Sequence, residues 1–208
     1  MKIKLIIFSF SLGILLSCSS PRSAKNSIQI EQIETNIPVI ILGDTVNNKI
    51  LRCRIPLAFK ATNSSSRSKY IQYIHYYYNE NYGKIYLDKY AGGWKGSFRV
   101  SQFINNELKI SDSGRLIEKE INNLLSQEFI IEPSYDIDTC KKEQITLNAY
   151  VQRMKDLGTN TLQIYTFKEF KEKNPLLIRT LLEGDSISFN IFNNENKSDT
   201  LIVLPIKY

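Results

Sequence analysis

Residues 49–62, KILRCRIPLAFKAT, carry the clearest structural pattern in this chain of 208 residues. Apolar and polar side chains alternate along it, which is typical of an antiparallel strand with one buried face. Pro56 interrupts the run, and because proline has no N–H to donate to a ladder, it predicts a sheet edge or a bulge there. The predicted buried face comprises Leu51, Cys53, Ile55, Leu57, Phe59 and Ala61, and the opposite face Arg52, Arg54, Lys60 and Thr62.

Further short strands are predicted on both sides of this stretch. They are rich in β-branched and aromatic residues and are separated by residues that favour turns. Many short strands joined by turns favour a mainly β fold with some α, built on an antiparallel β-sandwich-like core. The predicted strands are 27–34, 37–42, 70–78, 84–90, 97–104, 107–110, 128–132, 186–192 and 200–205.

Two or three short helices are expected beside these strands. The apolar positions between Arg115 and Leu125 follow a helical spacing. Thr166 and Glu169 have the spacing of a capping box, and Pro175 to Leu182 begins with proline, as helices often do. Residues 145–157 fit a strand and a helix equally well, so that segment is left open.

Residues 28–208 are interpreted as a single β-rich domain. The progression from residues 55–63, IPLAFKATN, to a following aromatic strand resembles exported immunoglobulin-like domains in general. No diagnostic motif of that family accompanies the pattern.

The N-terminus has the layout of a secretory signal. Lys2 and Lys4 precede a run from Leu5 to Leu16 that is mostly apolar. Twelve helical residues span roughly 18 Å, which is too short for a hydrocarbon core of about 30 Å. The pattern predicts a cleaved signal peptide over residues 1–17.

Residues 15–18, LLSC, end this run and resemble the lipobox of bacterial lipoproteins. The resemblance implies cleavage before Cys18, diacylglycerol on its sulfur and attachment to a membrane. Ser19, in place of aspartate, indicates the outer membrane by the enterobacterial sorting pattern, with the domain facing the periplasm. The polar residues 18–27 then serve as the lipidated N-terminus and a tether.

The composition argues against nucleic acid as a partner. Residues 18–208 hold 25 basic and 21 acidic residues, a net charge of +4, and the basic residues are spread along the chain. With Cys18 lipidated, Cys53 and Cys140 remain, and an exported domain sits where disulfides persist. Those two cysteines are a candidate disulfide pair, and two separate buried thiols are the alternative.

The search for catalytic and metal-binding patterns gives no enzyme class. His75 is the single histidine, which excludes a site with several histidine ligands, and no metal or cofactor is expected. Residues 66–69, SRSK, match the SxxK pattern of penicillin-binding enzymes but lie in a polar loop without a later KTG. Asp136 and Asp138 resemble the start of a calcium loop but lack its later ligands.

Aromatic residues form the most unusual local feature. Eight of the twelve tyrosines lie between Tyr70 and Tyr90, and tyrosine suits both sugar rings and protein interfaces. One hypothesis is a binding surface, and the alternative is that tyrosine simply fills both faces of a sheet. The predicted surface comprises Tyr76, Tyr78, Tyr82, Trp94 and Lys95.

These features favour a non-enzymatic lipoprotein of the bacterial cell envelope that binds an envelope protein or glycan. Two other functions stay open at this point. One is an inhibitor or immunity-type lipoprotein that binds an exported protein. The other is an enzyme acting on an envelope polymer, for which His75 is the best candidate residue.

Overall fold

The computed structural model describes residues 27–78, 98–104, 107–111, 120–137, 141–193 and 197–208. These residues form thirteen strands and three helices. The strands lie in three antiparallel sheets, which we call A, B and C. The prediction of a mainly β fold with a sandwich-like core and two or three short helices is therefore confirmed. The immunoglobulin-like variant of that fold stays a prediction.

One two-stranded ribbon runs through two of the three sheets. In sheet B, strand β3 (Lys49–Arg54) pairs with β10 (Ser134–Asp136). Along the same ribbon, strand β4 (Leu57–Asn63) pairs with β9 (Ser126–Glu132) in sheet A. The stretch that gives the strongest strand pattern therefore supplies a central strand to each of two sheets.

Prolines mark the point at which the ribbon passes from one sheet to the other. Pro56 lies between β3 and β4, and Pro133 lies between β9 and β10. The Ile55 N–H still donates to the Pro133 carbonyl at 3.2 Å, so the two chains stay paired at the corner. The register is also unchanged across the corner, where the partners are Arg54 with Ser134, and Leu57 with Ile131.

Sheets A and C face each other across the aromatic core. Phe59 of sheet A meets Phe189 of sheet C edge to face, with ring centroids 5.6 Å apart, and both rings are fully buried. Sheet A has the order β1-β4-β9-β6-β7, with β1 at Ile28–Ile33, β6 at Arg99–Ile104 and β7 at Glu107–Ser111. Sheet C has the order β13-β12-β5-β8, with β5 at Lys69–Tyr77, β8 at Glu120–Ile121, β12 at Ser186–Asn193 and β13 at Ser198–Pro205.

Helix α1 (Lys141–Asp156) covers sheet B and settles the ambiguous segment in favour of helix. It buries one apolar stripe, comprising Leu147, Val151 and Met154. A Cβ atom added at Gly43 would lie 2.7 Å from the sulfur of Met154, so the absence of a side chain there permits close packing. Sheet B has the order β10-β3-β2-β11, with β2 at Pro38–Asp44 and β11 at Thr161–Thr166.

Two further helices have the capping that the sequence predicts. Helix α2 (Phe167–Lys173) begins with a capping box, in which the side chains of Thr166 and Glu169 each accept from the other residue's backbone N–H. Helix α3 (Pro175–Leu182) begins at its proline. Gly184 follows it with a φ of 87°, a conformation that glycine adopts readily.

The structure corrects two details of the predicted elements. The helix expected over 115–125 is wrong in its second part, because Glu120–Ile121 pairs with β5 as strand β8. Leu51 was assigned to the buried face but is exposed, while Ile50 is fully buried. A bulge explains this shift, since Leu42 pairs with Arg52 whereas Gly43 pairs with Ile50, which leaves Leu51 unpaired.

Cys53 is fully buried on the ribbon with no disulfide partner among the described residues, and burial raises the pKa of its thiol to about 12. Cys140 lies outside the described residues, so its pairing with Cys53 stays a prediction.

We expect iodoacetamide to label Cys53 after unfolding in urea without any reductant, and to leave it unlabelled in the folded protein, because a buried thiol holds almost no thiolate. Labelling that requires a reductant as well as urea would instead establish the disulfide, and peptide mass spectrometry distinguishes the two results.

Candidate binding surface

Sheet C presents one face to the core and the other to solvent. On β12, Ile187, Phe189 and Ile191 point into the core. Residues of odd number from Tyr73 to Tyr77 on β5, and on β13, point the opposite way, because side chains alternate along a strand. We call this surface the outer face, and its defining residues are Tyr73, His75, Tyr77, Leu201 and Val203.

An aromatic row runs along the outer face on β5. Tyr73 is 57% exposed and Tyr77 is 45% exposed, and His75 is exposed between them. The ring of His75 lies 6.1 Å from that of Tyr73 and 6.4 Å from that of Tyr77, with interplanar angles of 33° and 40°. The row therefore offers ring edges and tilted faces to a ligand.

Small polar residues of β12 separate this row from the apolar side chains of β13. Ser188 pairs with His75 on one side and with Val203 on the other. Its hydroxyl donates to the Tyr77 hydroxyl at 3.2 Å. Asn190 is the next residue of β12 on this face and pairs with Tyr73 and Leu201. Its Oδ1 atom is buried with no hydrogen-bond partner in the part of the chain that the structure describes.

Strand β13 forms the border of the outer face. Within the described residues it pairs with β12 and with no other strand, so it is an edge strand. Leu201 is 61% exposed and Val203 is 54% exposed. The run from Thr200 to Leu204 contains neither a charged residue nor proline, which are the usual protection of an exposed edge.

Tyr76 was predicted to belong to a binding surface, and the structure places it in the interior instead. The side chain is 6% exposed and points to the core from β5. Its hydroxyl donates to Asp185 Oδ2 at 2.8 Å and lies 2.8 Å from the Tyr135 hydroxyl. Tyr135 donates to the same carboxylate oxygen at 2.5 Å, so sheets B and C meet at one buried carboxylate.

Burial controls the protonation of both tyrosines. Desolvation raises the pKa of Tyr76 and of Tyr135 well above 10, and the negative charge of Asp185 raises both further. Both hydroxyls therefore keep their protons at neutral pH and serve as donors to the carboxylate. This cluster is a structural tie between sheets, and its atoms are closed to a ligand.

The other residues of the predicted surface have mixed outcomes. Tyr78 is half-buried, with its ring centroid 5.0 Å from that of Tyr76 and 5.4 Å from that of Tyr135. Its hydroxyl accepts from the Ser134 N–H at 3.1 Å. Tyr82, Trp94 and Lys95 lie outside the described residues, so their place in a binding surface stays a prediction, as does lipidation at Cys18.

A shift of one residue separates the predicted surface from the observed one. Both faces of β5 are aromatic, so its sequence does not show which face is buried. The β5–β12 pairing also contains a bulge at Gln72, because Tyr73 pairs with Asn190 whereas Ile71 pairs with Ile191. Leu201 and Val203 are not among the predicted surface residues, although their alternation on the last strand was an available signal.

A concave region lies near the C-terminus, apart from the outer face. It is a groove of about 310 Å³ between the β1–β2 connection, helix α2 and the last residues of the chain. Within it, Lys168 Nζ lies 3.8 Å from Glu34 Oε1. The Gln32 side chain donates to the Lys207 carbonyl and accepts from the Lys207 N–H. The groove is basic, with Lys168, Lys171 and Lys207 among its lining residues.

Among the described residues, no grouping of side chains supports the enzymatic or metal-binding hypotheses. His75 is exposed between two tyrosines, and Ser66 lies in the loop before β5 while Lys69 begins that strand. Asp136 is in β10. Across the described ranges, no three His, Cys, Asp or Glu side chains are grouped as a metal site would need, and no helix has the length and apolar character to cross a membrane.

Tyr135→Phe tests the buried cluster. At pH 7 we expect the free energy of unfolding to fall by about 1.5–3 kcal/mol, because Asp185 loses one donor. Unfolded tyrosines ionise near pH 10 whereas the buried ones do not, so the stability that they contribute is complete below pH 10 and is lost as the pH rises. Between pH 9 and pH 11 the variant should therefore lose about 1.4 kcal/mol less than wild type.

Urea unfolding at the two pH values measures both effects. Tyr73→Phe is the matched control, because that ring is exposed on the outer face. Equal losses between pH 9 and pH 11 in wild type and Tyr135→Phe would show that Tyr135 titrates in the folded state and would contradict the buried cluster.

Comparison with known proteins does not assign the chain to a family. No protein-family model matches the chain. No curated protein and no solved structure matches it either. The interpretation of its function therefore depends on the geometry of its own residues.

Proposed function

We propose that the protein is a non-enzymatic lipoprotein of the bacterial envelope, attached by lipid on Cys18, that binds an envelope protein through the outer face of sheet C. The observation that carries the proposal is the exposed apolar and aromatic character of this face. Tyr73, Leu201 and Val203 are each more than half exposed, on the two strands that flank β12. Exposed apolar side chains gathered on one face commonly mark interaction sites.

The chemistry of the outer face favours a protein over a glycan. Branched aliphatic side chains at Leu201 and Val203 suit the apolar side chains of another protein, whereas sugar recognition depends on open aromatic faces. The rings on β5 are tilted against one another, and each tyrosine ring has His75 as a neighbour. Aromatic and aliphatic groups together therefore resemble a protein interface more than a sugar platform.

The edge strand supports the same class of partner. A polypeptide in extended conformation adds to an exposed sheet edge through main-chain hydrogen bonds, with specificity from alternate side chains. Strand β13 has seven residues with a backbone N–H before Pro205, and its outward side chains continue the outer face. Asn190 of β12 lies between Tyr73 and Leu201 in the row that joins them, and its buried Oδ1 atom has no hydrogen-bond partner among the described residues.

The anchor rests on the sequence alone. A lipid on Cys18 would hold the domain at the membrane with eight residues between Cys18 and Ser27. Partner binding at the envelope would then be favoured by the high local concentration of membrane-bound or envelope proteins. An inhibitor of an exported protein is a narrower form of this proposal.

Site-specific photocrosslinking in the native cell tests the proposal. A photoreactive amino acid at position 73 or 203 should give one discrete crosslinked product that protease digests, because both side chains lie on the outer face. The same group at position 145 is the control, since Ile145 is 79% exposed on α1, which packs on sheet B. Equal products from all three positions, or a product degraded by glycan hydrolases and resistant to protease, would contradict a protein partner at this face.

A pair of variants then measures the contribution of the face. Tyr73→Ser with Val203→Ser should weaken binding of the purified partner at least tenfold, because a combined loss of about 1.4 kcal/mol from two truncated residues near the interface centre gives that factor. Ile145→Ser with Leu157→Ser removes exposed apolar side chains on α1 and just after its end, and should leave the affinity unchanged. Titration calorimetry gives both affinities, and thermal unfolding checks that both variants are folded.

A further inference from the structure

Two leucines stand exposed at one end of the domain. Leu124 is 70% exposed and Leu125 is 56% exposed, in the turn between β8 and β9. Leu124 also has a φ of 58°, a left-handed conformation that is uncommon for a residue with a side chain. We call residues 64–68 and 122–125 together the tip.

The tip is held by an extensive hydrogen-bond network centred on Asn63. This fully buried side chain donates from Nδ2 to the carbonyls of Ile121 at 3.0 Å and Arg67 at 2.7 Å. The Asn63 N–H donates to the Leu125 carbonyl at 2.9 Å, and the Leu124 N–H donates to the Ser65 carbonyl at 3.3 Å. The exposed leucines therefore stand on a fixed platform, and their left-handed turn is maintained by specific bonds.

The same network holds the start of the domain. Ser64 donates to the carbonyl of Ser27 from its N–H at 2.8 Å and from its hydroxyl at 3.0 Å. Ser27 is nine residues after Cys18. Nine residues span at most about 32 Å even when fully extended, so a lipid on Cys18 keeps the tip near the membrane surface.

We infer that Leu124 and Leu125 insert into the interface of the membrane that holds the lipid on Cys18, as a second contact that orients the domain. This inference rests on the proposed lipid anchor. The anchor makes the second contact intramolecular, so two leucines suffice where they would not recruit a soluble protein. The tip thereby fixes which end of the domain faces the lipid.

The chemistry of the tip fits a bilayer better than a protein partner. Its exposed apolar groups are two adjacent aliphatic side chains, and its other residues are serines, asparagines and Arg67. Polar backbone and side-chain groups of this kind suit the headgroup layer, while leucine side chains partition into the acyl boundary. Interface centres in protein complexes, by contrast, are enriched in aromatic residues.

Lipid quenching of tryptophan tests the contact in the full, lipidated protein. Leu124→Trp is compared with Leu176→Trp, because Leu176 is 79% exposed on α3, which leads into β12 at the end opposite the tip. Each variant is reconstituted into vesicles of phosphatidylethanolamine and phosphatidylglycerol that contain brominated lipid. We expect the tryptophan at position 124 to lose fluorescence and to shift to the blue, and the one at 176 to behave as it does without bromine.

Two further measurements make every outcome decisive. Hydrogen exchange of the unsubstituted protein should be slower at residues 122–125 in vesicles than in the unlipidated Cys18→Ser protein, which covers a failure of Leu124→Trp to fold. Mass spectrometry of the N-terminus reports the lipid separately. Absent or equal quenching at both positions with the lipid present overturns the tip contact and leaves the anchor intact, whereas an N-terminus without lipid overturns the anchor and the tip contact together.

Discussion

The constant register of one β ribbon through a proline corner is the constraint on which the rest of the structure depends. Strands β3 and β4 could have formed a single long strand, but Pro56 and Pro133 remove backbone donors at adjacent levels of the ribbon. The hydrogen bond from Ile55 to Pro133 keeps the two chains together while the ribbon changes sheet. The strand partners on one side of the corner therefore follow from the register on the other side.

The buried carboxylate depends on that corner. Tyr135 lies just past Pro133 in sheet B, where its hydroxyl reaches Asp185 beside the start of β12. Tyr76 reaches the same oxygen from β5, so one charge joins the ribbon to sheet C. A buried carboxylate with two donors tolerates little displacement of either, because a lost partner leaves a charge unsatisfied in a low dielectric. We therefore regard this cluster as the element that fixes the relative position of sheets B and C.

The sequence predicted local structure well and the choice of face poorly. The capping box at Thr166, the helix at Pro175–Leu182 and the predicted strands 186–192 and 200–205 follow from short-range chemistry, and all are confirmed. Residues 145–157 stayed ambiguous because burial against sheet B, a tertiary effect, selects the helical stripe of Leu147, Val151 and Met154. The faces of β5 differ through Asp185, which is 109 residues from Tyr76 in sequence. No local pattern reports a partner at that separation.

Strand β5 connects the two surfaces that give the domain a direction. It begins at Lys69, which pairs with Ile121 beside the tip, and it ends at Tyr77 on the outer face. Eight steps of about 3.3 Å place its ends about 26 Å apart. With Leu124 in contact with lipid and β5 directed along the membrane normal, Tyr77 would lie about 26 Å farther from the bilayer than Lys69, where an envelope protein can approach β13 without displacing lipid. Because a paired strand is stiff along its length, the height of the binding surface would be set by the fold and not by the tether.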